Sequence, residues 1–151
     1  MLRLSKLTDY GTLVLSELAA RRGEPSSAGV VAGSTHLALP TVSKLLKALT
    51  RSGLVVSTRG AQGGYALARA PESITAAEII DALEGPVAIT ECSARTGSCD
   101  LEAFCLVGGA WQRINLSIRE ALQQVTLADL KGKPRPMPVP DLRSHFEAPV
   151  N

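Results

Sequence analysis

Three observations predict a mostly α-helical fold with a small β wing. Apolar residues recur at helical spacing along much of the chain, a glycine-rich turn is flanked by two short strand-like runs, and the longest apolar stripe comes late. Together they predict a winged helix-turn-helix unit over residues 1–70, a cysteine-bearing loop and a long C-terminal dimerisation helix over 71–130, and a flexible Pro-rich tail over 131–151. The chain has 151 residues, 45% of them hydrophobic but only 3% aromatic, so its core has to be built from Leu, Val, Ile and Ala.

Taken in order, Thr8 is placed to cap a first helix running to about Arg21, with Tyr10, Leu13, Val14 and Leu18 on one stripe and Gly23 as its stop. Ser26 or Ser27 opens a short second helix containing Val30 and Val31, which closes near Gly33. The third helix has the clearest bounds. Pro40 stands where a first turn tolerates a missing N–H, Gly53 stands at the stop, and Val42, Leu45, Leu46 and Leu49 recur at helical spacing between them. Its opposite face carries Thr41, Ser43, Lys44, Lys47 and Arg51, which makes it a candidate reading helix for a nucleic-acid groove.

Leu54–Ser57 and Tyr65–Leu67 read as strands around Arg59-Gly60-Ala61-Gln62-Gly63-Gly64, whose glycines supply the backbone freedom of a tight hairpin. Arg59 and Gln62 are the larger side chains at its tip, suited to a phosphate or a minor groove. Thr75-Ala76-Ala77-Glu78 is a capping box that opens a helix ending before Gly85-Pro86. After Gly108-Gly109, the residues Trp111, Ile114, Ile118, Leu122 and Val125 step by three or four, giving a helix of about 17 residues, ~25 Å long. So long a stripe exceeds what a small core can cover, and a second copy of the chain is the expected partner. Leu127–Leu130 forms a last short turn, beyond which Pro134, Pro136, Pro138, Pro140 and Pro149 oppose regular structure.

Charge is sorted along the chain. Residues 1–70 hold nine Lys or Arg against three Asp or Glu, whereas residues 71–130 hold three against nine. No acidic residue occurs between Glu24 and Glu72, while Lys44, Lys47, Arg51, Arg59 and Arg69 all fall there. A surface free of carboxylates and supplied with cations suits a polyanion, because each neutralised phosphate releases counterions. A solvated basic surface is the plainer reading, and the groove-sized helix beside it favours double-stranded DNA.

All three cysteines fall in one polar stretch, Cys92 to Cys105, with six residues between Cys92 and Cys99 and five between Cys99 and Cys105. That spacing lets three sulfurs converge on a metal or an iron-sulfur cluster. A disulfide would strand one thiol, structural zinc favours CxxC pairs and four ligands, and three unrelated small buried residues is the plainest alternative. A thiol or iron-sulfur oxidoreductase is disfavoured: there is no CxxC, no nucleotide fingerprint, and the histidines, His36 and His145, lie far from the thiols in sequence. No secretory signal or membrane-length apolar run is evident, so a cytoplasmic, non-enzymatic protein with neither membrane contact nor small-molecule substrate is expected.

Leu4-Ser5-Lys6-Leu7-Thr8-Asp9-Tyr10, Arg59 to Tyr65, Ile79 to Gly85 and the three-cysteine loop resemble the winged-helix iron-sulfur regulators typified by IscR and NsrR. Thr90-Glu91-Cys92-Ser93 and Trp111 to Val125 look most like the branch that regulates SUF-system cluster assembly. The resemblance covers residues 1 to about 130. It implies a homodimer that binds palindromic promoter DNA, as a repressor of cluster assembly genes or as a nitric-oxide or redox sensor, with a bound cluster setting its affinity. It implies Cys92, Cys99 and Cys105 as ligands. The histidine that completes the cluster in one branch is replaced by Gly108, and Asp9 matches the aspartate that serves in the other branch from the partner subunit. A 4Fe-4S cluster is therefore expected, with 2Fe-2S as the alternative. Asp9 also suits the first turn of a helix through the dipole alone. The gap between Cys92 and Cys99 is one residue longer than is usual in both branches, and Glu91, Asp100, Glu102 and His36 are secondary donors.

Overall fold

Residues 4–90 and 107–131 are described by a computed structural model of the chain. The elements run α1 (Lys6–Ala20), α2 (Ala28–Thr35), α3 (Leu39–Arg51), β1 (Val55–Thr58), β2 (Gly64–Leu67), a 3-10 turn (Pro71–Ser73), α4 (Ala76–Glu84), α5 (Gly108–Gln124) and α6 (Leu127–Lys131). The predicted plan is the one adopted: two helices and a third reading-type helix, followed by an antiparallel hairpin in the register Val55 to Leu67 through Thr58 to Gly64.

Helix α1 starts earlier than the sequence suggests. Ser5, in extended conformation, accepts from the Leu7 N–H at 3.2 Å and is the cap. Thr8 is buried instead, and its hydroxyl donates to Glu84 at the far end of α4. The buried stripe of α1 is Val14, Leu15 and Leu18; Leu13 faces solvent, because α1 is covered from the sides of α2, α3 and α4. Ser27 caps α2 by accepting from Val30, and α2 runs on past Gly33 to Thr35, where His36 in the left-handed conformation ends it.

The core joins Val14, Leu15, Leu18 and Val31 to the α3 stripe Val42, Leu45, Leu46 and Leu49, and extends to Ile74, Ile79 and Leu127. Burying each such aliphatic side chain contributes about 1.5–3 kcal/mol. The hairpin is anchored to the body by a bridge between Ser26 and Tyr65, whose N–H groups reach each other's carbonyls at 3.0 and 2.8 Å. Gly64 makes this possible, since a Cβ there would lie 2.6 Å from the Ser26 carbonyl carbon. The Thr75–Glu78 capping box forms as expected.

Helix α5 is fastened to the body through Asn115 and Arg119. The Asn115 side-chain amide donates to the Val87 carbonyl at 3.1 Å, and Arg119 meets Asp81 with two hydrogen bonds of 3.1 and 2.6 Å. Past its C-terminus, a bridge between Thr75 and Thr126 carries the chain into α6, where Leu127 is wholly buried. No described helix is long and apolar enough to cross a membrane. The expected tail falls outside the described residues, apart from Lys131, which ends α6.

Candidate nucleic-acid interface and cysteine loop

The surface formed by α3 and the hairpin gathers the candidate DNA residues. Because Val42, Leu45, Leu46 and Leu49 pack inward, helical geometry turns Ser43, Lys44, Lys47 and Arg51 outward, and all four are exposed. Thr41 is half-buried in the first turn. Across the connection, Arg59 and Gln62 are exposed on the hairpin tip, where the Gly63 N–H bonds the Gly60 carbonyl at 3.0 Å and Gly60 takes a φ of +114°. A residue with a Cβ is strained at that φ, so the tip keeps a bare backbone able to approach a phosphate.

Ion pairs distinguish these cations from three others. Among the described residues, Lys44, Lys47, Arg51 and Arg59 meet no carboxylate, whereas Arg21 pairs with Glu17, Arg69 with Glu78 and Arg119 with Asp81. Arg69, counted by sequence with the basic interval, is thus neutralised; it also donates to the Ser73 carbonyl. Burial pushes the Glu78 carboxyl up, but the Thr75 N–H, Arg69 and the Thr75 hydroxyl together hold it below the ordinary glutamate value. The Asp81 partner raises Arg119 above the ordinary arginine value.

Cys92, Cys99 and Cys105 lie outside the described residues, as do Glu91, Asp100 and Glu102. The described residues contain no group of three or more His, Cys, Asp or Glu that could hold a metal ion. Asp9 is exposed in the first turn of α1, and no described residue bonds its carboxylate. The start of α1 is in turn tied to the end of α4, from which the chain enters the cysteine stretch: Glu84 accepts from the Ser5 N–H at 2.8 Å and from the Thr8 hydroxyl. The Thr8 hydroxyl, then the Ser5 N–H, hold the Glu84 carboxyl below the ordinary glutamate value. By their chemistry, three cysteine sulfurs and a carboxylate are donors of the kind an iron-sulfur cluster takes. Sequence reasoning missed Glu84, and with partners 79 and 76 residues away no local pattern marks it.

A third helix with cations outside and aliphatics inside, joined to a bare-tipped hairpin, defines a winged-helix DNA-binding regulator. Residues 4–133 match the Rrf2 family, described as an iron-dependent transcriptional regulator, and the chain belongs to that family. It is 35% identical over 130 residues to the HTH-type transcriptional regulator CymR of Bacillus subtilis, covering 85% of this chain and 89% of that protein. It is 34% identical over 143 residues to the regulator IscR of Cereibacter sphaeroides, covering 91% and 92% respectively. Among solved structures, B. subtilis CymR, described as a global cysteine regulator, superposes with a TM-score of 0.65 at 34% identity over 87% of this chain and 97% of that one. IscR of T. potens gives a TM-score of 0.62 at 34% identity over 85% of each chain. These relatives are transcriptional regulators rather than enzymes.

Proposed function

We propose that the chain is a homodimeric cytoplasmic repressor of iron-sulfur cluster assembly genes, and that an iron-sulfur cluster sets its affinity for a palindromic promoter site. The observation that carries the DNA half is the exposed cation set of α3 and the hairpin, unpaired among the described residues and set in a sequence interval free of acidic residues. Thr41, Ser43 and Lys44, near the start of α3, meet base edges; Lys47 and Arg51 meet phosphates; Arg59 and Gln62 sit over a flanking minor groove. Cys92, Cys99 and Cys105 hold the cluster, with Asp9 of the partner subunit as the fourth ligand to a 4Fe-4S centre, or to a 2Fe-2S centre in the alternative. When bound, the cluster would supply a redox-sensitive charge to the segment that joins α4 to α5 in sequence.

The exposed stripe of α5 supports the dimer. Gly108, Asn115 and Arg119 face the chain's own body, while Trp111 and Ile114 lie roughly a quarter turn away and remain exposed at 39% and 45%. A second α5 covers that stripe in a two-fold pair, and two-fold symmetry matches a palindrome. Helix α5 meets the winged body through Val87 and Asp81, and cluster occupancy acts through α5 on the separation of the two reading helices. DNA affinity then changes only by the difference in how the two arrangements fit the site.

A second reading draws on two likenesses: the Thr8-Asp9-Tyr10 match to nitric-oxide regulators, and the similarity to CymR, described as a cysteine regulator. Here nitric oxide at the cluster, or oxidation of the thiols with no cluster present, is the signal. The test is anaerobic purification followed by iron and sulfide analysis and the visible spectrum. Charge-transfer absorption with stoichiometric iron and sulfide, reduced by Cys99→Ala and Asp9→Ala, supports the first reading. Zinc or no metal, with no absorption after reconstitution, removes the cluster. Salt titration of duplex binding tests the interface: Lys47→Ala should lower the log–log salt slope by about one unit on every sequence.

A further inference from the structure

We propose that Leu39, with Pro40, forms an apolar tip on the reading helix that recognises the 5-methyl group of thymine in the major groove. The inference rests on the DNA-reading assignment above and adds the chemical group that is read.

The core stripe of α3 is Val42, Leu45, Leu46 and Leu49. Counting back three residues from Val42 reaches Leu39, so the stripe continues one turn past the point where the body ends, and Leu39 is 50% exposed there. Its neighbours continue the character. Ala38 takes the cap position without a capping side chain, Pro40 contributes no N–H, and both are exposed. The first turn also lacks an acidic residue, although the helix dipole favours one.

A lone surface leucine is ordinary and implies nothing. Leu39 differs in its position and its company. It opens the helix whose N-terminal residues meet base edges in helix-turn-helix readers. It is also adjoined by apolar residues on both sides, while Lys44, Lys47, Arg51 and Arg59 stand exposed on the same surface with no carboxylate partner among the described residues. Those cations fix the occupant as a polyanion. Base-pair edges in the major groove present hydrogen-bonding atoms throughout, and the apolar group among them is the thymine methyl. An aliphatic tip therefore selects thymine at one position of each half-site, next to the polar contacts of Ser43 and Lys44.

The experiment uses full-length protein purified anaerobically and a duplex selected from a random-sequence pool. Each thymine in that duplex is then replaced, one at a time, by deoxyuridine, which lacks only the methyl group. One position in each half-site should bind about fourfold more weakly, the change expected for losing one buried methyl-sized contact. Leu39→Ala should abolish that sensitivity, and Leu39→Asn should do the same, while Lys47→Ala binds more weakly overall but retains it. Circular dichroism confirms that the variants are folded. If the wild type binds the duplex but no thymine-to-uracil change matters, or if Leu39→Ala keeps the wild-type response, the methyl contact is wrong and the DNA-reading assignment stands. If no duplex is enriched, both fall together.

Discussion

Helices α3 and α5 are written in the same sequence language and end in different surroundings. Each carries an apolar stripe at helical spacing opposite a polar face. Helix α3 buries Val42, Leu45, Leu46 and Leu49 within its own chain and presents cations, whereas α5 buries Gly108 and Asn115, half-buries Ile118 and Leu122, and leaves Trp111 and Ile114 exposed. Amphipathic spacing thus shows that a stripe must be covered, but not by which chain. The deciding quantity is the local supply of neighbours. Helix α3 lies between α1, α2 and α4, while α5 rests mainly on α4. The one helix is covered by folding; the other keeps part of its stripe open, where the proposed dimer would cover it.

The sharpest break of that comparison comes from cutting each stripe and asking which equilibrium responds. Leu46→Ala removes a fully buried side chain from α3 and should cost about 2–5 kcal/mol of folding stability, read as a lower urea midpoint. Its effect should not depend on protein concentration. A change well under 1 kcal/mol would mean that the α3 stripe is not covered as described.

Ile114→Glu is the matching cut in α5. In a single chain this side chain is 45% exposed, so folding should change little, while a charge placed in the dimer contact should cost about 2–4 kcal/mol of association. Light scattering should show dimers for the wild type and monomers for the variant, with binding to a palindromic duplex weakened in parallel. An intact dimer would move the interface off this stripe.

Signals that act over a few residues could be read directly. Pro40 and Gly53 bracket α3, Thr75 and Glu78 announce α4, and the glycines between β1 and β2 mark the hairpin. Signals that need a distant partner could not. Thr8 read as the cap of α1, but it is buried and bonded to Glu84, and Ser5 takes the cap instead. Arg119 and Asp81, 38 residues apart, leave no periodic trace. Arg69 looked like a free cation until Glu78 was placed beside it. The same limit applies to the candidate site. The cation face of α3 follows from helical phase alone, whereas Cys92, Cys99 and Cys105 are legible only as a spacing, their positions lying outside the described residues.

The smallest expected effect concerns Glu84, which joins the helix carrying Asp9 to the helix on which α5 rests. Its carboxylate accepts from the Thr8 hydroxyl and the Ser5 N–H, and these hold it below the ordinary glutamate value. A carboxylate depressed on folding contributes stability above its ordinary value, and that contribution is lost as pH falls through the lower, folded value. Because the side chain is exposed, the charge-assisted bonds are discounted to about 1 kcal/mol at neutral pH. Glu84→Ala should therefore lower the urea midpoint at neutral pH by that modest amount. On acidification wild type and variant should converge, since protonated Glu84 has little left to lose. Glu84→Gln keeps an acceptor oxygen without the charge, so its stability should fall between the two at neutral pH and carry none of the acid dependence. A wild-type advantage over Glu84→Ala that stays constant down to about pH 3 would show that the tie does not depend on ionisation. The start of α1 would then be held by packing of Thr8 alone.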